Sequence, residues 1–228
     1  MGDNKNPTIQ KYIEALIISG AVKIAPHAES IFTQRNGNKT WIFVDHGDAL
    51  LEPTHNHAVI DALRDYIQEN MNPGPVTVLM NVASKTSPQM TGSLAYLLNL
   101  PQIITIGAEL QSVEKGTNRR FRVPYNLPQA PHILMIDDIL TTGKTVLETV
   151  GAIQEQPYPW LKKAEFTLLT CLARNESLAV KTLQEKGVSV HYLATLDEVI
   201  VSIWKNFSSQ QQQGLLQEMP HLSTIVSR

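Results

Sequence analysis

Residues 132–146 read HILMIDDILTTGKTV, and this stretch decides the fold. Ile133 to Ile136 form an unbroken apolar run, the pattern of a strand covered on both faces. Two carboxylates, Asp137 and Asp138, close the strand, and Thr141-Thr142-Gly143 make a turn. KTVLETVGAIQ, residues 144–154, then repeats apolar positions at helical spacing. A strand, a hydroxyl-rich turn and a helix start aim backbone N–H groups and threonine hydroxyls at one point, which suits a terminal phosphate. The Gly-Lys-Thr end is shared with ATP-binding loops, but those need a second glycine five positions before Gly143, where Asp138 stands. The ligand is therefore a different phosphate compound, one that accepts two acids beside it.

Outward from this unit the same rhythm repeats. VTVLMNV (76–82) precedes PQMTGSLAYLLNL (88–100), and QIITIG (102–107) precedes a polar stretch. AEFTLLTCL (164–172) precedes ESLAVKTLQEKG (176–187), and VSVHYLA (188–194) precedes LDEVIVSIWKNF (196–207). Near-continuous apolar strands alternating with helices predict an α/β fold with a mostly parallel open sheet flanked by helices.

Before this rhythm begins, Ile9, Tyr12, Ile13, Leu16 and Ile17 predict a helix capped by Thr8. SIFTQR (30–35) and KTWIFVDH (39–46) read as two strands joined through an Asn36-Gly37 turn. Val59, Ala62, Leu63, Tyr66 and Ile67 predict a second helix, begun at Pro53-Thr54 and closed by NPGP at 72–75. The chain thus divides into a small N-terminal element (1–52), an α/β core (53–206) and a glutamine-rich tail (207–228), the tail read as a solvated helix or arm. Within the core, residues 107–130 exceed the usual connection length and read as a mobile loop.

Composition narrows the function class. The 228 residues carry 43% hydrophobic and 18% charged side chains and a net charge of -2, so no bulk electrostatic case exists for nucleic acid or an anionic membrane. A chain of this length buries roughly 70–75% of its unfolded surface without staples. The single cysteine, Cys171, lies in an apolar strand and reads as a buried thiol with no base partner, which favours a reducing, cytoplasmic setting. No run approaches the roughly 18 apolar residues of a membrane span. His55 and His57 open a helix without a third ligand nearby, and His46 and His132 stand alone, so no metal centre is expected on them.

Two carboxylates beside a phosphate cradle repel an anion unless they meet hydroxyls, a metal or developing positive charge. Ribose 5-phosphate satisfies this, with its phosphate in the threonine turn and its hydroxyls on the acids. The stretch ILMIDDILTTGKT (133–145) accordingly resembles the phosphoribosyl pyrophosphate (PRPP) signature of type I phosphoribosyltransferases. Other stretches resemble orotate phosphoribosyltransferases. ALIISGAVKI (15–24) and TQRNGNKTWIFVDHG (33–47) resemble that family's N-terminal hood, with Arg35 on its basic position and Phe43 on its first aromatic. NVASKTSPQMTGSLAYLLNLP (81–101) resembles its pyrophosphate loop and following helix, with Lys85 on the family's lysine. CLARNES (171–177) places Arg174 on the arginine that pairs with the orotate carboxylate.

The resemblance implies transfer of a phosphoribosyl group from PRPP to orotate, with Mg²⁺ as cofactor and a homodimer as the working assembly. It assigns PRPP binding to Lys85, Asp137, Asp138, Leu140, Thr141, Thr142, Gly143, Lys144 and Thr145, and base binding to Arg35, Phe43 and Arg174. Mg²⁺ reaches the site through PRPP and the Asp137-Asp138 pair, with no direct protein cage. The chain departs from the family in its long loop, where GAELQSVEKG (107–116) puts Gly107-Ala108 on the family's Arg-Lys pair. Lys115, Arg119, Arg120 and Arg122 follow in the same loop, and Lys115 is the catalytic cation this reading selects. Thr86 replaces a glycine of the first loop and Val44 the hood's second aromatic. Three readings stay open: an orotate enzyme, a phosphoribosyltransferase for another base, and a PRPP- or nucleotide-binding regulatory protein without turnover.

Overall fold

The computed structural model describes residues 6–33, 37–71, 76–105, 121–174 and 176–226. Helix α1 (Pro7–Ile18) starts at Asn6, whose side chain accepts from the Thr8 N–H, with Pro7 in the first turn. The cap is therefore Asn6 and not Thr8; proline at the first helical position needs no N–H partner, so the boundary moves outward. Strand β1 (Val22–Ile24) follows, then β2 (Phe32–Thr33), β3 (Lys39–Thr40) and β4 (Ile42–Val44).

The expected hairpin forms between β2 and β3, with Phe32 opposite Thr40 and Gly37 at φ +84°. The second predicted strand, however, breaks at Trp41: β4 leaves the hairpin and pairs antiparallel with β1. It ends at Val44, because Asp45 caps a short helix α2 (His46–Leu51) by accepting from Gly47 N–H at 3.0 Å. Helix α3 (Pro53–Asn70) begins where the proline signal put it.

The core alternates β5 (Val78–Asn81), α4 (Ser87–Leu98), β6 (Gln102–Thr105), β7 (Phe121–Arg122), β8 (His132–Leu140), α5 (Lys144–Gln154), β9 (Glu165–Ala173), α6 (Glu176–Gln184) and β10 (Val188–Thr195). The six strands lie in the order β10-β9-β8-β5-β6-β7. The pairs β8–β9, β8–β5 and β5–β6 are parallel, and β7 closes one edge antiparallel to β6. Two residues within the predicted mobile loop, Phe121 and Arg122, thus form a strand. Phe121 is buried against the sheet, and that anchors two residues which sequence pattern alone left irregular. Residues 107–120 of that loop, including Lys115, Arg119 and Arg120, lie outside the described residues.

Burial follows the apolar run. Ile133 to Asp137 are all buried, so both faces of β8 are covered. Ile133 and Met135 pack with Val146, Val150 and Ile153 of α5 and Ala179 and Leu183 of α6. On β9, Cys171 approaches the Met90 sulfur of α4 at 3.6 Å. It lies an odd number of residues from Leu168, which faces α5 and α6, so α4 covers the opposite face.

By internal contacts the chain forms two units, residues 1–59 with 194–228, and residues 60–193. This grouping cuts across the linear division read from the sequence, because the tail joins the N-terminal element. After α7 (Leu196–Ile203), helix α8 (Ser209–Glu218) starts with a reciprocal Ser208/Gln211 capping box. Its Glu218 accepts from Trp41 N–H at 2.8 Å, and Gln211 Nε2 donates to the Ala25 carbonyl at 3.1 Å. Gly214 and Leu215 are buried, so the glutamine-rich helix has a packed face as well as a solvated one. In the same unit the buried Tyr12 hydroxyl and His46 Nε2 are hydrogen-bonded at 2.8 Å. No helix among the described residues is long and apolar enough to cross a membrane.

Candidate active site

The site grows out of β8. Its ladder with β9 continues past both acids, pairing Asp137 with Thr170, Ile139 with Leu172 and Leu140 with Ala173. The acids therefore lie inside the strand, three and two residues before its end, whereas the sequence placed them at its terminus. Parallel pairing with β9 is a non-local bond pattern that an apolar-run reading does not contain. After Leu140 the chain turns through Thr141 and Thr142 to Gly143, which caps α5 in the left-handed region at φ +75°, ψ 0°. A side chain there meets Leu183: an added Cβ lies 2.9 Å from Leu183 Cγ. Glycine is required both by φ and by space.

Asp137 and the run from Ile139 to Val146 line a hollow at the start of α5. The first N–H groups of a helix have no partner within it and can meet an anion; in α5 the Lys144 N–H donates to Thr142 Oγ1 at 3.4 Å. Thr142 and Thr145 are exposed and Thr141 is half-buried. Lys144 contributes its backbone here; its ammonium points along the helix to Glu148, at 3.8 Å. Leu140 has its side chain in the core, while its carbonyl accepts from Arg174 N–H at 2.8 Å. That bond brings Arg174, at the end of β9, alongside the turn.

The two acids differ in environment. Asp137 is 5% exposed, and burial first, then the neighbouring charge of Asp138, push its carboxyl well above the ordinary carboxylate range. The Asp138 N–H, donating to Asp137 Oδ1 at 3.0 Å, and the Ser84 side chain work in the opposite direction. Asp138 is half-exposed; its Oδ1 accepts from Ile139 N–H at 2.9 Å and its Oδ2 from the Thr86 hydroxyl at 2.5 Å. Thr86 belongs to the loop between β5 and α4. That loop is fastened to β8, because the Ser87 hydroxyl and, at 3.1 Å, the Val82 N–H both donate to the Ile136 carbonyl, and it is closed on itself by Ser87 N–H donating to Ser84 Oγ at 3.2 Å. Lys85, one residue before Thr86, is exposed. Burial, then the charges of Asp138 and Asp137, push the Cys171 thiol well up, which keeps it protonated and unreactive.

Among the predicted site residues, the structure thus gathers Asp137, Asp138, Leu140 to Thr145 and Arg174 around one turn and brings the Lys85 loop to the acids. Phe43 stands on β4, 37% exposed and tilted against Phe32 with ring centres 5.7 Å apart. Arg35 and Lys115 lie outside the described residues. Sequence reasoning missed Thr86, Ser84 and Ser87 as site-forming residues. The signal was present, since a Ser/Thr cluster just before Pro88 is a helix-start pattern whose hydroxyls seek partners. Among the described residues no three His, Cys, Asp or Glu side chains converge as a metal cage.

No protein-family model matches the chain. It is 25% identical over 213 residues to the orotate phosphoribosyltransferase of Listeria innocua, covering 92% of this chain and 95% of that one. The solved orotate phosphoribosyltransferase of Aeropyrum pernix superposes with a TM-score of 0.65 at 19% identity, over 85% of this chain and 98% of that chain. The chain is thus similar in sequence to orotate phosphoribosyltransferases, and it carries the type I phosphoribosyltransferase fold. The UMP synthase of Leishmania donovani gives a TM-score of 0.69 at 15% identity, and there the match covers 98% of this chain but 43% of the longer one. The ordered resemblance read along the sequence and the likeness of fold therefore point to the same family.

Proposed function

We propose that this chain transfers the phosphoribosyl group of PRPP to orotate, giving orotidine 5′-monophosphate and pyrophosphate. The observation that carries the reading is the β8–α5 turn, where a left-handed glycine, three threonines and a helix start face one hollow beside two acids of unlike environment. In this reading the N–H groups of residues 143–145 and the threonine hydroxyls hold the 5-phosphate. Asp138 accepts from ribose hydroxyls, which keeps the anomeric carbon in line. Arg174 grips the orotate carboxylate through two parallel hydrogen bonds. The bond from the base nitrogen to the anomeric carbon forms as the bond to the pyrophosphate oxygen breaks, and the carboxylate face stabilises the positive charge that develops on the ribose.

The donor set suits Mg²⁺, which is bound by one or two carboxylates plus substrate oxygens rather than by an all-protein cage. Asp138, half-exposed beside the Thr86 loop, is the residue that would meet it, and the ion would supply charge neutralisation of the pyrophosphate. Lys115 is the loop cation proposed to assist the leaving group, and a homodimer is the proposed assembly.

The sequence GAELQSVEKG favours a second reading, a protein that keeps the cradle without turnover, because the family's basic pair is replaced by Gly107-Ala108. Loss of orotate absorbance with PRPP and Mg²⁺ separates the two. Turnover by the parent, with the orotate KM raised about ten- to a hundredfold by Arg174→Ala and kcat lowered by Lys115→Ala, supports the enzyme. PRPP binding with no pyrophosphate release from any base supports the binder.

A further inference from the structure

We infer that Thr86 is a positioning residue that sets the Asp138 carboxylate for ribose hydroxyls, a role taken up at a place where the resembled family has glycine. The inference rests on the phosphoribosyl reading and deepens it. A carboxylate on a strand turns readily about its last bond, because terminal sp³–sp² torsions are broad. Asp138 is held at both ends instead: Ile139 N–H fixes Oδ1 at 2.9 Å and the Thr86 hydroxyl fixes Oδ2 at 2.5 Å. That second distance is the short kind that hydroxyl-to-carboxylate hydrogen bonds reach. Each oxygen keeps a further lone-pair direction, so a ligand hydroxyl or cation can still be received.

Thr86 is itself fixed. Its carbonyl accepts from Met90 N–H at 3.3 Å in the first turn of α4, and the next residue, Ser87, is buried and tied to the Ile136 carbonyl. The hydroxyl therefore reaches 52 residues along the sequence from a rigid platform. Glycine at this position has no donor to offer. With threonine, the loop that carries Lys85 and the strand that carries the acids become one set piece before any ligand arrives, and such preorganisation lowers the cost of binding.

The test compares Thr86→Val, which keeps the shape and deletes the donor, with Thr86→Ser, which keeps the donor. Calorimetric titration uses two probes, inorganic phosphate for the cradle alone and ribose 5-phosphate with Mg²⁺ for cradle plus acids. The expected result is a loss of about ten- to a hundredfold in ribose 5-phosphate affinity for Thr86→Val, the range for a hydrogen bond to a charged group. Phosphate affinity stays as in the parent, and Thr86→Ser restores the sugar phosphate. In turnover, KM for PRPP rises while KM for orotate holds. Equal weakening of both probes by Thr86→Val, or no weakening of either, overturns the inference while leaving the phosphoribosyl reading in place. A parent protein that binds phosphate but gains nothing from the ribose overturns that reading and the inference together.

Discussion

Gly143→Ala tests whether the turn has the shape argued for it. Gly143 holds φ +75°, and an alanine in the left-handed region costs about 1–2 kcal/mol. Its methyl would lie 2.9 Å from Leu183 Cγ, closer than real Cβ atoms approach, and a tight 3.1 and 3.2 Å from the two Cδ atoms. Leu183 is fully buried, so it has little room to withdraw, and overpacking of this kind costs about 1–3 kcal/mol. Against these stands a gain of about 0.4–1 kcal/mol, because alanine restricts the unfolded chain. The net loss is about 1–4.6 kcal/mol, and a central value of about 2.8 kcal/mol lowers the Tm by about 6–11 °C for a chain of this size.

Thermal unfolding of the parent, Gly143→Ala, Leu183→Ala and the double variant separates the two causes. Leu183→Ala alone costs about 2–5 kcal/mol through the space it leaves. In the double variant the new methyl no longer meets the leucine, so the combined loss falls below the sum of the single losses by about 1–3 kcal/mol. Gly143→Ala within about 0.5 kcal/mol of the parent would refute the backbone argument. Strict additivity in the double variant would refute the contact with Leu183.

Gly214→Ala strikes the other unit, since an added Cβ there lies 2.1 Å from Trp41 Cε2; the expected loosening of α8 appears as faster amide hydrogen exchange across Ser209–Glu218, and unchanged exchange refutes the packing. Asp137→Asn has a pH signature: an acid raised above its ordinary 3.8 in the fold binds more protons folded than unfolded, so its contribution is full below that value and is lost as pH rises through the raised one. The stability of Asp137→Asn relative to the parent should therefore rise from about pH 4 toward neutrality, and a pH-independent difference would show that Asp137 is not held toward its neutral form.

What the sequence made legible was local. The apolar run from Ile133 to Ile136, the Thr-Thr-Gly turn and the periodicity of residues 144–154 are each written within a few residues, and β8 and α5 appear where those patterns put them. The misread boundaries depend on partners far along the chain. Strand β8 extends to Leu140 only because β9 continues beside it, and Phe121–Arg122 becomes a strand only because β6 has an edge to offer. The tail shows the same division. Ser208 and Gln211 stand at capping-box spacing in the sequence, but the close approach of Gly214 to Trp41 joins elements more than 170 residues apart.

The acid pair is where tertiary structure adds most to the chemistry. In sequence Asp137 and Asp138 are two equal charges beside a site for an anion, and equal charges there oppose the ligand. In the fold they occupy one strand, where consecutive side chains point to opposite faces, so the sheet treats them differently. Asp137 is buried where it lines the hollow, and burial together with its neighbour's charge pushes its carboxyl above the ordinary range. Asp138, on the other face of the strand, is half-exposed with both oxygens held by neutral donors. The arrangement gives the two acids unlike settings, one buried and pushed above the ordinary carboxylate range, the other held in a fixed orientation by Ile139 and Thr86. Thr86 and burial, neither of them visible in the linear pattern, are what make the paired acids unlike.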